Sequence, residues 1–105
     1  MKVTQYSEGC GALISDIQLA DLSVTQLEEL RTVFTQHGLL FFRDQDFSPQ
    51  DHLQFAQRFG SIVVNKFFRA IEQFPEIAEV RKEKEQQTNI GGGWHTDHSY
   101  DDIPA

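Results

Sequence analysis

His37-Gly38-Leu39-Leu40-Phe41-Phe42-Arg43-Asp44-Gln45 is the stretch that decides the fold. A glycine, four large apolar residues and a charged pair make a short apolar run with a hard stop at each end. A run that short and that apolar reads as a buried strand. Immediately upstream, Ser23 and Gln26 have capping-box spacing, and Leu22 and Leu27 occupy the hydrophobic-staple positions. Leu27, Leu30, Phe34 and His37 then share one helical face, with Gly38 as the expected stop. Downstream, Ser48 is a good N-cap, Pro49 suits the first helical position and Asp51 the third. Leu53, Ala56 and Phe59 form the apolar face of this second helix, and Gly60 is expected to end it.

Farther out the signals weaken. Residues 9–19 alternate loosely through Ala12, Ile14, Ile17 and Leu19 and predict a strand or extended lead-in. Ile62-Val63-Val64 predicts a strand, and so does Ile77-Ala78-Glu79-Val80 after Pro75. Residues 81–88 are polar and charged and read as an exposed loop. Gly91-Gly92-Gly93 is flexible backbone that allows close approach, and residues 94–100 read as a last strand, ended by Asp101-Asp102-Ile103-Pro104. The order β-α-β-α-β, with further strands late, predicts an α+β unit. A doubly wound nucleotide fold is disfavoured, because no Gly-rich turn joins a strand to a helix N-terminus.

Composition narrows the function classes. The 105 residues suffice for a single small domain, residues 1–105, or part of a larger one. At 39% hydrophobic and 24% charged the chain is too apolar for disorder. A net charge of −7 argues against nucleic acid and against an anionic membrane surface as partners. No apolar run approaches the ~20 residues of a membrane span. Cys10 is the single cysteine, so no internal disulfide forms; with no signal peptide visible, the expected compartment is the cytoplasm.

The chemistry concentrates in Gly91-Gly92-Gly93-Trp94-His95-Thr96-Asp97-His98-Ser99-Tyr100. In an extended strand His95, Asp97 and Ser99 point one way and Trp94, Thr96, His98 and Tyr100 the other. One face then offers an imidazole and a carboxylate for one ion, as in the 2-His-1-carboxylate triad of non-haem Fe(II) sites, with Trp94 packing behind. Spacing alone is weak: four His and 16 acidic residues in 105 give ~0.6 such pairs by chance. From spacing alone, a solvated strand end with a satisfied histidine is the better account of the pair. A metallo-β-lactamase-type reading of His95-x-Asp97-His98 needs a histidine where Gly93 stands. Cys10 reads as a buried or incidental thiol, His37 as a charge partner at a helix C-terminus, and His52 as a surface residue. Asn65, Lys66 and Arg69 could line a cleft for an acidic small molecule, but ordinary surface placement is the better reading from the sequence.

The motifs resemble the taurine dioxygenase family, Fe(II)- and 2-oxoglutarate-dependent dioxygenases. Gly11-Ala12-Leu13-Ile14-Ser15-Asp16, the His37 to Gln45 stretch, Ser48-Pro49-Gln50, Phe55-Ala56-Gln57-Arg58-Phe59-Gly60 and Trp94-His95-Thr96-Asp97 occur there in the same order. The resemblance implies that His95 and Asp97 are the first two iron ligands. It places Asn65 and Phe68 where taurine dioxygenase has a His and a Tyr on its sulfonated substrate, and Gly91 where it has an Asn. All three depart from that enzyme, which argues against taurine as the substrate. His98 and Tyr100 follow the ligand pair and are expected to face the substrate pocket. The second iron His, the Arg that clamps 2-oxoglutarate and most of the jelly-roll barrel are expected beyond Ala105.

The expectation is therefore the N-terminal part of a double-stranded β-helix (jelly-roll) dioxygenase, an incomplete barrel with two flanking helices. The whole enzyme is expected to bind Fe(II) and 2-oxoglutarate and to hydroxylate a small anionic substrate; this chain alone is expected to be inactive. An incomplete barrel exposes sheet edges and apolar surface, so a homo-oligomer is expected. The alternative is a stand-alone α+β module that binds a partner or its own copies and carries a vestigial ligand pair.

Overall fold

The computed structural model describes residues 1–103. The chain divides into two compact units, Met1–Phe59 and Gly60–Ala105. Two helices and two small sheets, with antiparallel as well as parallel pairing, make it an α+β chain.

The first unit is built on a three-stranded sheet of β1 (Lys2–Gln5), β2 (Ala12–Ser15) and β3 (Leu40–Phe42), in the order β1-β2-β3. β1 pairs antiparallel with β2, and β2 pairs parallel with β3, Ala12 opposite Leu40 and Ile14 opposite Phe42. β2 is the central strand, flanked on both sides, so its inward residues are deeply buried: Ala12 at 0% and Ile14 at 1% exposure. A short 3-10 turn (Leu19–Asp21) and helix α1 (Val24–His37) make the crossover from β2 to β3. The capping box forms as expected: Gln26 N–H donates to Ser23 Oγ at 3.2 Å, and Ser23 N–H donates to Gln26 Oε1 at 3.0 Å. Gly38 ends α1 in the left-handed region (φ 70°), its N–H donating to the Phe34 carbonyl at 2.8 Å.

The buried stripe of α1 is Leu27, Leu30 and Val33, not Leu27, Leu30 and Phe34. One helix over a narrow sheet covers a narrow strip, so the i+3 residue is buried and Phe34 stays 48% exposed. β3 also departs from expectation. It is half-buried along its length, because it pairs on one side only and is a sheet edge. Leu40 and Phe42 pack on the core, while Phe41 lies against Tyr6 with ring centres 4.8 Å apart.

Helix α2 (Pro49–Gln57) starts with a second capping box, between Ser48 and Asp51. Asp51 accepts from the Ser48 hydroxyl and from its backbone N–H, and these bonds hold its carboxyl below the usual value of 3.8 despite some desolvation. The helix stops at Gln57, before Gly60, where Phe59 N–H turns back to the Ala56 carbonyl at 3.0 Å. Its inward aromatic is Phe55, edge-on to Phe47 at 5.8 Å; Phe59 is 47% exposed.

Two glutamines tie the sheet to its crossover. Gln45 accepts from Leu19 N–H at 2.9 Å and donates to the carbonyls of Ile17 at 3.1 Å and Arg43 at 2.8 Å. Gln18 answers by donating to the Asp44 carbonyl at 3.1 Å and accepting from Asp46 N–H at 3.4 Å. Arg58 Nη1 donates to the Leu22 carbonyl at 2.7 Å.

The second unit contains one hairpin, β4 (Ala70–Ile71) with β5 (Phe74–Ala78), turning at Gln73 (φ 67°). The expected strand at residues 77–80 thus begins earlier, at Phe74, and takes in Pro75, which a two-stranded ribbon tolerates because one side of each strand needs no donor. Ile62-Val63-Val64 forms no strand, since none of the described residues pairs with it; Val63 and Val64 are exposed. Among the described residues, the buried hydrophobic ones all belong to the first unit. No helix among the described residues is long and apolar enough to cross a membrane.

Candidate metal centre

Residues 94–100 are not a strand. They run as irregular backbone into a turn at Ser99-Tyr100, with His98 in the left-handed region (φ 47°) and Asp101 N–H donating to the His98 carbonyl at 2.9 Å. A strand needs a neighbour to take its N–H and C=O groups, and none among the described residues does so. Thr96 and Ser99 bond to each other instead, Oγ1 to Oγ at 2.8 Å. The expected packing of Trp94 behind the pair fails with the strand: its relative exposure is 107%.

His95 and Asp97 nevertheless meet. His95 Nε2 lies 3.2 Å from Asp97 Oδ1. The other ring nitrogen, Nδ1, lies 2.7 Å from the Gly93 carbonyl. A carbonyl only accepts, so Nδ1 carries the hydrogen of this bond. Nε2 faces a carboxylate oxygen, so the pair is placed to share either a proton or a metal ion. Two ligands about 2.1 Å from one metal at a right angle sit roughly 3 Å apart, so the observed separation fits adjacent ligands of one ion. The donor set fits too, since imidazole nitrogen with carboxylate oxygen is what a non-haem iron site takes. Both side chains are open, 57% and 84% exposed. No group of three or more His, Cys, Asp and Glu side chains among the described residues could close a site around an ion.

The residues expected at the substrate come together in part. Asn65, His98 and Tyr100 line a cleft of about 100 Å³ with Lys66, Phe67 and Asp101; Phe68 does not line it. Asn65 is committed elsewhere, because its Oδ1 accepts from the backbone N–H groups of Phe67 at 2.8 Å and Phe68 at 3.0 Å. His98 Nδ1 is 3.1 Å from Asp101 Oδ2, its ring stacks on Tyr100 at 5.6 Å, and Tyr100 meets Phe67 edge-on at 6.0 Å. Sequence reasoning missed Asp101 as the partner of His98, although the i+3 spacing in a polar turn was a usable signal. The Gly93 carbonyl left no signal, being backbone. Cys10 is exposed rather than buried, and His52 is exposed as expected.

The family model for "Taurine catabolism dioxygenase TauD, TfdA family" matches residues 2–105. The chain belongs to this family. Its TauD/TfdA relatives include an alpha-ketoglutarate-dependent sulfonate dioxygenase of Saccharomyces cerevisiae, 30% identical over 96% of this chain and 27% of that protein. An (S)-phenoxypropionate/alpha-ketoglutarate-dioxygenase of Sphingobium herbicidovorans is 27% identical over 90% of this chain and 34% of its own length. A Burkholderia xenovorans structure, solved as a candidate alpha-ketoglutarate-dependent taurine dioxygenase, superposes with a TM-score of 0.78 at 29% identity, covering 93% of this chain and 36% of that one. The fold is also that of AAD-2, solved with Mn(II) and N-oxalylglycine: TM-score 0.57 and 21% identity over 63% of this chain and 27% of that one. The chain thus spans about a third of the length of the curated relatives it matches.

Proposed function

We propose that this chain is the N-terminal part of a jelly-roll Fe(II)- and 2-oxoglutarate-dependent dioxygenase, and that His95 and Asp97 are two of its three iron ligands. What carries the reading is His95: in a chain of this family its Nδ1 is bonded to the Gly93 carbonyl while its Nε2 faces Asp97 Oδ1 at 3.2 Å. When bound, the iron supplies the redox chemistry by which O₂ and 2-oxoglutarate become succinate, CO₂ and one hydroxyl on the substrate. The chain's own residues have a narrower task. His95 and Asp97 hold the metal from one side. Asn65, by gripping its own turn, shapes the cleft rather than touching substrate, while Lys66 offers a cation to an anionic substrate and Tyr100 and Phe67 offer apolar walls.

The isolated chain is inactive in this account. Two open ligands in a unit with no buried residue among those described cannot hold iron in fixed geometry or exclude water from it. The expected self-association is carried by the open edge of β3 and by an apolar groove of about 270 Å³ beside it, between Phe34, Leu39 and Phe59. A reducing compartment such as the cytoplasm suits the exposed, unpaired Cys10.

The test is to read the coding DNA past the Ala105 codon and assay the extended product for succinate formed with substrate. A continuing frame with a His and an Arg in strand patterns, and succinate that vanishes with His95→Ala, is the expected outcome. A stop with nothing after it contradicts the proposal and favours the stand-alone module.

A further inference from the structure

We propose that Asp101 is a positioning residue for the two ligands, acting through His98 to hold the backbone that carries Asp97. This rests on the reading of His95 and Asp97 as ligands. The Asp97 side chain is 84% exposed and has no partner among the described residues other than His95. Its direction is therefore set by the backbone on either side. On the C-terminal side that backbone is unusual: His98 sits in the left-handed region (φ 47°), where an L-residue stays only if its surroundings hold it. Two bonds from one residue hold it. The Asp101 N–H donates to the His98 carbonyl at 2.9 Å, and Asp101 Oδ2 lies 3.1 Å from His98 Nδ1. The first closes the turn, and the second pins the ring that grows from the left-handed residue.

Within residues 91–103 only His98 and Asp101 are not exposed. Their side chains are 29% and 30% exposed, about half as open as His95. A hydrogen bond between groups so screened from water weighs more than one on the open surface. The pair is packed as well as bonded, since the His98 ring stacks on Tyr100 and Tyr100 meets Phe67 edge-on. A carboxylate whose backbone is held in this way stands beside His95 before any metal arrives, so less ordering is needed on binding. The hydrogen bond at position 101 is separable from the charge there. Asp101→Asn keeps an oxygen and gains an NH₂, so it can meet His98 Nδ1 as acceptor or as donor; Asp101→Leu keeps the shape and can do neither. If the carboxylate served only as a negative charge near the cation, Asn would fail as Leu does.

The experiment is a Mn(II) titration of the full chain, read from paramagnetic broadening of the His95 and Asp97 signals. Amide hydrogen exchange at position 101 is measured beside it on the metal-free proteins. Asp101→Leu and His98→Ala should each weaken Mn(II) binding about 10-fold, the double variant should bind no more weakly than either, and Asp101→Asn should stay near wild type. Exchange at position 101 should quicken in Asp101→Leu and His98→Ala and keep the wild-type rate in Asp101→Asn. Asn and Leu variants that bind Mn(II) alike, or losses that add in the double variant, overturn the positioning role. The expected exchange pattern without any Mn(II) broadening of His95 in wild type instead sinks the ligand reading, and with it the purpose assigned to the turn.

Discussion

Replacing Gln45 with Ala removes the side chain that joins the end of β3 to the start of the crossover. Gln45 makes three hydrogen bonds, of which those with Leu19 N–H and the Ile17 carbonyl are partly buried. Each such bond is worth about 1 kcal/mol net, and a donor left without a partner away from water adds about 1–3 kcal/mol. Leu19 is itself in the core at 8% exposure, so its N–H has little access to replacement water. The exposed bond to the Arg43 carbonyl adds little. The sum is about 3–5 kcal/mol, which for so small a unit lowers the melting temperature by roughly 12–40 °C. Gln45→Glu should be worse at neutral pH, because a carboxylate still accepts from Leu19 but turns its charge on two carbonyls. Those carbonyls favour the protonated acid, so the introduced group's folded pKa lies above its unfolded value, and stability of that variant should fall as pH rises through it. Thermal melts by circular dichroism, with urea titrations at low temperature, measure all three proteins. Gln45→Ala melting within about 2 °C of wild type, or Gln45→Glu equal to it at neutral pH, refutes the clasp.

Asp51 has its pKa lowered chiefly by the Ser48 hydroxyl, so its contribution is present above its unfolded value and is lost as pH falls through the lower folded one. Urea midpoints taken from about pH 6 down to 2 should therefore drop less steeply in Asp51→Asn than in wild type, and parallel curves count against the capping box. Gly38→Ala should cost about 1–2 kcal/mol through its positive φ, and Gly38→Asn clearly less, as read from the same urea titrations. Trp94, the single tryptophan and fully exposed, should emit like the free amino acid and be quenched by iodide to the same degree; a blue-shifted, protected emission means that something covers it. Light scattering should find oligomers whose size falls with Phe34→Ser, and a well-behaved monomer contradicts the self-association drawn from the groove beside β3.

What could be read from the sequence were features with a local cause. Ser23 with Gln26, Ser48 with Pro49 and Asp51, and Gly38 after His37 each determine backbone within one turn, and each formed where expected. What could not be read depended on neighbours. The run at Leu40-Phe41-Phe42 says strand but not edge, because edge status is a property of the sheet. Phe34 against Val33, and Phe59 against Phe55, differ by the rotation of a helix about its axis, which the width of the opposing surface decides. β1 was missed because Lys2, Val3, Thr4 and Gln5 are all exposed and bury nothing that would pattern them. At His95 and Asp97 the two side chains could be singled out and the backbone could not: residues 94–100 read as a strand, yet a strand without a partner is only extended chain. His95 and Asp97 meet because of a turn and a carbonyl, not because of alternation.

The most direct test of the central claim is an anaerobic Fe(II) titration of this chain beside His95→Ala and Asp97→Ala. The account predicts weak but measurable binding at one site, abolished by either substitution. Binding that is the same in all three proteins, or absent from all three, contradicts the assignment of His95 and Asp97 as iron ligands.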